Sequence, residues 1–185
     1  RRRSARRRQL RNRNLIVLGI DPGTAVTGYG VVSGERMSQP HLIECGVIRT
    51  RPHDSLAMRL HEIHAGVVDL IARHKPDTVS IEDVFYARNV RTTVVLGHAR
   101  GVILLAAVNA GCSIAEYPPA EIKKSVVGTG AATKEQVQFM VTRLLRLKTS
   151  PQPADASDGV AAALAHVMSS RLPSISESVP VRGRR

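Results

Sequence analysis

The chain of 185 residues has few cysteines, no long apolar run and no acidic residue among its first 13 positions. Its two cysteines, Cys45 and Cys112, are too few for a disulfide scaffold and lack metal-binding spacing, which indicates a reducing, cytoplasmic setting. The longest apolar run, residues 101–108, is far shorter than the about 20 residues that span a bilayer. We therefore expect a soluble protein that has no membrane partner.

The positive charge lies mainly at the two ends of the chain. Of 27 lysines and arginines, eight fall in residues 1–13 and three are the last arginines of the chain, which leaves 16 basic and 15 acidic residues between them. The first segment lacks the apolar residues that a core requires, so we expect a disordered Arg-rich tail at residues 1–14. A nucleic-acid arm, a transit peptide and an overextended start remain open for this tail. Residues 15–170 suit one domain, followed by a flexible basic tail at residues 171–185.

Short apolar and β-rich runs bounded by turn residues predict the strands of this domain. Five such runs occur, at residues 15–20, 27–32, 42–48, 77–81 and 113–117. The first run ends at Asp21-Pro22-Gly23 and the fourth ends on Glu82. Because the first three runs are separated by short polar turns, they predict an antiparallel meander.

Longer segments with a helical period follow the meander. Five helices are predicted, at residues 55–74, 91–110, 119–126, 133–147 and 155–169. In the first of them, apolar residues recur at alternating spacings of four and three, which is typical of a helix that packs on a sheet. The second is apolar on all sides, so we expect the sheet to cover one face and a second subunit to cover the other.

Four acidic residues stand where strands end and where the last helix begins. Asp155 and Asp158 are three positions apart and are both expected in the first turn of the last helix, so both project from one helix face, where the helix dipole favours negative charge. Taken alone, each acid has an ordinary explanation: helix capping for this pair, a solvated strand end for Glu82 and a turn for Asp21. If the first and fourth strands lie side by side, however, the four carboxylates form an oxygen cage for magnesium against a phosphate.

Several short motifs lie between Leu18 and about His166. They are Leu18-Gly19-Ile20-Asp21-Pro22-Gly23-Thr24 with Thr27-Gly28-Tyr29-Gly30, Ile81-Glu82-Asp83-Val84-Phe85, Gly97-His98-Ala99-Arg100-Gly101, Lys123-Lys124-Ser125-Val126-Val127-Gly128, Lys134-Glu135-Gln136-Val137, and Pro151-Gln152-Pro153-Ala154-Asp155-Ala156-Ser157-Asp158. They extend over nearly the whole of the predicted domain. Through these motifs the chain resembles the RuvC family of Holliday junction resolvases.

This resemblance implies an α/β chain with a ribonuclease H-like, mixed five-stranded sheet flanked by helices. It also implies a homodimeric, magnesium-dependent endonuclease that resolves four-way DNA junctions in recombination and repair. Such an enzyme cuts two strands symmetrically, leaves 5′-phosphate and 3′-hydroxyl nicks, and works beside a branch-migration helicase. The family's acidic tetrad falls on Asp21, Glu82, Asp155 and Asp158, which implies two magnesium ions per active site, replaceable by manganese.

The resemblance further implies two catalytic lysines, which match Lys123 and Lys134, with Lys124 as the neighbouring alternative to the first. An aromatic that stacks on a base matches Phe85, one of only two phenylalanines, with Tyr86 as the alternative. Phosphate contacts are then expected from five basic side chains: Arg88, Arg91, Lys123, Lys124 and Lys134.

Two features near these residues leave alternatives open. Gly128-Thr129-Gly130 fits either a phosphate-binding loop or a plain turn between helices. His166, two helical turns beyond Asp158, is a candidate for supporting the acidic site or for a structural role. Two other functions also remain: a noncatalytic DNA-binding dimer, and an actin-like ATPase-type phosphate-binding domain, for which 185 residues leave little room.

Overall fold

A computed structural model of the protein describes residues 14–34, 39–83 and 90–170. The strands within these ranges are β1 Leu15–Asp21, β2 Val26–Gly34, β3 His41–Arg49, β4 Thr78–Glu82 and β5 Ser113–Tyr117. The helices are α1 Leu56–His74, α2 Val90–Asn109, α3 Pro119–Val127, α4 Lys134–Leu144 and α5 Ala154–Ser169. Every strand and helix predicted from the sequence is therefore present, with small shifts at the ends.

The five strands form one mixed sheet in the order β3-β2-β1-β4-β5. β1, β2 and β3 make the predicted antiparallel meander, with Asp21 opposite Gly28. β4 pairs parallel with β1 on one side and with β5 on the other, and Ile20 lies opposite Ile81. The first and fourth strands thus lie side by side and end at the same edge of the sheet.

Helices cover both faces of this sheet and give the domain two cores. On one face, α1 and α2 pack on the sheet around Leu18, Ile63 and Ile103, all fully buried. On the other face, α3, α4 and α5 enclose a second core around Val17 and Leu164. Alternate residues of a strand point to opposite faces, so β1 contributes Val17 to one core and Leu18 to the other.

α5 is the most deeply buried helix of the described chain, and its residues from Ala156 to Ala165 are almost all small. It lies directly on the backbone of β1 and β2. A methyl group added at Gly28 would overlap the backbone oxygen of Asp155, and one added at Gly19 would overlap that of Gly159. The glycines of the two strands therefore determine how closely α5 approaches the sheet.

α4 is shorter than the sequence predicted, because it ends at Leu144 and not at residue 147. Arg146 adopts a left-handed backbone conformation with φ of 52°. The N–H of Leu147 donates to the carbonyl of Thr142, and the N–H of Arg146 donates to that of Arg143. These two bonds form a Schellman motif, which turns the chain out of the helix although no glycine is present.

α2 has two distinct faces, which the apolar sequence alone did not separate. Its buried side chains, Ala99, Ile103, Ala106 and Ala107, pack on the sheet. The opposite face carries Val90, Val94, Leu105 and Val108, each more than half exposed. α2 is long and apolar enough to cross a membrane, and 22% of its most apolar 18 residues are buried. Those buried side chains pack in the core between α2, α1 and the sheet.

Candidate metal centre

Two carboxylates come from the ends of adjacent strands. Along β1, Leu18 and Ile20 enter the core beneath α1 and α2, so Asp21 points to the opposite face, where α5 lies. β4 follows the same alternation: Ile81 is in the α1 and α2 core, and Ser80 donates from its hydroxyl to the Ala162 carbonyl of α5 at 2.7 Å. Glu82, two positions beyond Ser80, therefore projects toward the α5 side as well.

The other two carboxylates come from the start of α5. Pro153 is the N-cap of this helix and no side chain caps it, so Asp155 and Asp158 do not serve as caps. Asp155 lies in the first turn and Asp158 follows just beyond it, a small correction to the expectation that both occupy that turn. One carboxylate oxygen from each of Asp21, Asp155 and Asp158 lies within 4.8 Å of the other two.

Glu82 lies outside this closest group but faces the same cleft. The cleft has a volume of about 250 Å³. It is lined by Asp21, Glu82, Pro119, Ile122, Lys123, Lys134, Val137, Asp158 and Ala161. The structure therefore brings all four predicted acids to one edge of the sheet, with three of them within reach of a shared ion.

Burial and mutual repulsion disfavour the charged form of these carboxylates when no cation is bound. Burial, followed by repulsion from the Glu82 carboxylate and the two helix carboxylates, raises the pKa of Asp21 to about 7. Burial also raises the pKa values of Glu82 and Asp158, and repulsion from Asp158 adds to the shift at Glu82. Hard carboxylate oxygens in such proximity fit a divalent cation such as magnesium, which would relieve this repulsion.

Lys134 contacts the acidic group directly. Its Nζ lies 2.6 Å from Asp158 Oδ2, and this pairing raises the pKa of the lysine. The position of Lys134 follows from a capping box at the start of α4. Thr133 accepts from the N–H of Gln136, and the Gln136 side chain accepts from the N–H of Thr133. The capping box makes Lys134 the first residue of α4, beside the cleft.

The two neighbouring lysines of α3 lie in different places. Lys123 lines the acidic cleft, and its positive charge partly opposes the rise that burial causes in the pKa values of Glu82 and Asp158. Lys124 is exposed and borders a separate depression with Met168 and Ser169. The structure therefore places Lys123, and not Lys124, beside the carboxylates.

Other predicted residues lie away from the cleft or outside the described chain. Phe85, Tyr86 and Arg88 fall in residues 84–89, which are outside the described residues, as are residues 1–13 and 171–185. Arg91 is exposed in the first turn of α2.

The glycine turn and the partly buried His166 both make local hydrogen bonds. Gly128 ends α3 with φ of 95°, and its N–H donates to the Lys124 carbonyl. This amide is therefore committed to the turn, and the same holds for the N–H of Ala131, which donates to Thr129 Oγ1. His166 Nδ1 lies 2.9 Å from the Tyr117 hydroxyl, and burial lowers the pKa of its ring.

Two supports of the site were not predicted from the sequence. Glycines within β2 are a known sign of close backbone approach, and Gly28 is the residue on which the start of α5 rests. Arg100 of α2 forms ion pairs with Asp83, directly after Glu82, and with Glu116 of β5. These ion pairs join a helix to residues after β4 and in β5, which are separate segments of the sequence. A local sequence pattern therefore does not predict them.

The sheet order and the placement of the helices define a ribonuclease H-like fold, and its acidic cleft is of the kind that holds divalent cations. A family model described as crossover junction endodeoxyribonuclease RuvC matches residues 17–166. A protein of that name from Desulforamulus reducens is 45% identical over 154 residues, which cover 82% of this chain and 93% of the relative.

Two solved structures agree with this match. The chain superimposes on the Thermus thermophilus RuvC structure with a TM-score of 0.78 and 35% identity, covering 85% of this chain and 96% of the other. A T. thermophilus RuvC in complex with a Holliday junction substrate gives the same TM-score and coverage at 33% identity. The chain belongs to the RuvC family of crossover junction endodeoxyribonucleases, as the sequence motifs indicated.

Proposed function

We propose that this protein resolves four-way DNA junctions by symmetric, magnesium-dependent phosphodiester hydrolysis that leaves 5′-phosphate and 3′-hydroxyl nicks. The observation that carries the proposal is the group of carboxylates from Asp21, Asp155 and Asp158, within 4.8 Å of one another and with Glu82 on the same cleft. A relative in this family was solved with a Holliday junction substrate, which supports the choice of DNA.

Asp21, Glu82, Asp155 and Asp158 are the proposed ligands of two magnesium ions, for which manganese can substitute. When bound, such ions lower the pKa of a nucleophilic water and stabilise the charge on the leaving oxygen. The carboxylates would hold the ions, and the two strand ends and α5 fix the positions of these side chains. Because each carboxylate is part of the packed fold, little reorganisation is needed when the substrate arrives.

Lys134 and Lys123 are proposed to stabilise negative charge on the reacting phosphate. Lys134 is held at the cleft by the capping box and by Asp158, and Lys123 lines the same cleft from α3. A lysine ammonium is a compact point charge, and it is most effective where water is excluded. Neither lysine needs to transfer a proton in this proposal.

The duplex arms are proposed to lie along basic side chains in the cleft and on the surface beyond it. Among the described residues these are Lys123 and Lys134 in the cleft and Arg91 and Lys124 outside it. Phe85, with Tyr86 as the alternative, and Arg88 remain predictions for base stacking and phosphate contact. Phosphate contacts of this type position the DNA without reading its sequence.

The active form is proposed to be a homodimer joined through α2. The exposed stripe of Val90, Val94, Leu105 and Val108 lies opposite the buried face of the helix. Gly97 and Gly101 are four positions apart, and a methyl group at either would meet nothing within 4 Å. A two-fold axis through this stripe would present two clefts to two strands of one junction. Cooperation with a branch-migration helicase follows from the family resemblance alone.

Purified protein incubated with synthetic four-way junctions and with linear duplexes, with and without magnesium, tests the proposal. We expect paired nicks on the junction in magnesium and none on the duplex. Asp21→Asn should abolish cutting while junction binding in metal-free buffer persists. Junction binding without cutting by the wild type in either magnesium or manganese would instead favour a noncatalytic DNA-binding dimer.

A further inference from the structure

The loop between β3 and α1 brings basic side chains to the edge of the sheet where the acidic cleft lies. β3 and β1 both run antiparallel to β2, so they run in the same direction and end at the same edge. β1 ends there at Asp21, and β3 ends there at Arg49. Arg51 follows in the loop, and Arg59 lies in the first turn of α1, which packs on the side of the sheet opposite α5.

Arg59 is fixed to the turn that follows Asp21. Its Nε donates to the Thr24 carbonyl at 3.1 Å and to Thr50 Oγ1 at 3.0 Å. Thr50 in turn donates from its hydroxyl to the Thr24 carbonyl at 2.6 Å and from its N–H to the Ala25 carbonyl at 3.1 Å. Through these bonds the Arg59 side chain is held against the backbone that leads away from the acidic residue.

The outer part of the Arg59 guanidinium is left without an acceptor in the described part of the chain. Both bonds use Nε, and neither terminal nitrogen donates to a described group. Within the same ranges, none of Arg49, Arg51 and Arg59 lies within 4.0 Å of a carboxylate, although Asp54 and Glu62 are close in sequence. A partly buried guanidinium, held by its Nε and with two NH₂ groups unengaged, is arranged to receive an anion by paired hydrogen bonds.

We propose that Arg59, supported by Arg49 and Arg51, binds backbone phosphates of a DNA arm on the α1 side of the acidic cleft. This inference rests on the proposed function and adds a contact surface to it. A phosphate is the matching ligand because its oxygens accept two parallel N–H bonds from one guanidinium. Arg59 also links the bound phosphate to the turn after Asp21, so that the arm and the cleft are held in one register.

Junction binding in metal-free buffer, measured over a range of salt concentrations, tests this surface independently of cutting. We expect Arg59→Gln to weaken binding about tenfold and to lower the slope of log affinity against log salt by about 1. Arg51→Gln, which removes an exposed side chain with no described contact, should lower the slope as well. Arg73→Gln removes the same charge from the far end of α1, where Arg73 pairs with Glu44 and Asp69, and as the control should leave the slope unchanged.

The thermal unfolding midpoint separates a binding role from a structural one. If Arg59→Gln lowers the midpoint while its affinity and salt slope equal those of the wild type, Arg59 only braces the turn and the proposal is wrong. If Arg59→Gln fails to fold, the Arg51→Gln slope decides the question. Equal losses in the Arg73→Gln control would indicate a nonspecific charge effect and overturn the assignment. Failure of the wild type to cut junctions would count against the proposed function, whatever the binding slopes are.

Discussion

Lys134 Nζ and Asp158 Oδ2 lie 2.6 Å apart, so one carboxylate of the acidic group is already paired with a cation from the protein. The lysine lowers the pKa of Asp158, which burial raises, and also opposes the rise at Asp21. In the metal-free protein Lys134 therefore offsets part of the repulsion among the acids. It also competes with any metal ion for the same carboxylate.

Lys134→Met should separate these two effects. Removal of the positive charge makes the cleft more attractive to magnesium, so we expect tighter metal binding by titration calorimetry. Cutting should nevertheless slow by about 100-fold, because the charge that we propose to stabilise the reacting phosphate is lost. Single-turnover cleavage at saturating magnesium measures this rate. Unchanged cutting with altered metal affinity would show that Lys134 serves only the carboxylates.

Lys123 and Lys124 form a matched pair for a second test. Only Lys123 lines the acidic cleft, whereas Lys124 borders the depression beside Met168. We expect Lys123→Ala to reduce the single-turnover rate about 10- to 100-fold and Lys124→Ala to leave that rate nearly unchanged. Both substitutions remove one charge from α3, so loss of general DNA attraction affects them alike. The reverse order of effects would contradict the proposed role of Lys123.

The raised pKa of Asp21 predicts how stability depends on pH. This carboxyl titrates near pH 7 in the metal-free fold, compared with an ordinary value of 3.8. The folded state binds the Asp21 proton more tightly than the unfolded state does. The resulting stabilisation of the fold is complete below the pKa of Asp21 in the unfolded chain, and it is lost as pH rises from about 4 through about 7. Asp21→Asn should flatten this decline of the unfolding midpoint measured in EDTA.

Magnesium should oppose the same decline. The ion must displace the Asp21 proton, so the increase in unfolding midpoint on adding excess magnesium should grow between about pH 5 and pH 8. Differential scanning fluorimetry with matched EDTA samples measures the increase. A magnesium effect that is constant across this range would argue against Asp21 as a ligand.

Gly28→Ala tests the contact that positions α5. The added methyl group would overlap the backbone oxygen of Asp155, so the helix must move away from β2 or the strand must bend. We expect a loss of about 1–3 kcal/mol in the free energy of unfolding, as overpacking of a core typically produces. The magnesium concentration at half-maximal cutting should also rise, because Asp155 and Asp158 move with the helix. If the Gly28→Ala variant had the stability and magnesium requirement of the wild type, the contact between Gly28 and Asp155 would not determine the position of α5.

Leu105→Asp tests the proposed subunit interface. Leu105 is 53% exposed on the apolar stripe of α2, and a charge there would be buried by a partner helix. We expect sedimentation to show a monomer at micromolar concentration, with loss of paired nicking. Val68→Asp is the control, since Val68 is 43% exposed on α1, away from that stripe. Dimers of unchanged stability in the Leu105→Asp variant would exclude α2 as the interface.

The local features of this fold were readable from the sequence because they depend on neighbouring residues. The run before Asp21 is continuously apolar and ends at Pro22-Gly23, which suffices for a buried strand and its stop. The alternating spacings in residues 55–74 suffice for α1, whose Ile63, Val67 and Leu70 are buried. The end of α4 was missed because Arg146, a residue with no particular preference for a left-handed conformation, takes the place of a glycine.

The sequence by itself determined which side chains were available: the four acids, the strands and helix that carry them, and the family motifs around them. Only the tertiary structure decided their grouping, because parallel pairing of β1 with β4 and the seating of α5 on Gly28 bring together residues more than 130 positions apart. It also placed Lys123 in the cleft and Lys124 outside it, and it divided α2 into a buried and an exposed face. In each case the outcome depends on which distant element a side chain faces, and the spacing of residues along one helix does not predict that.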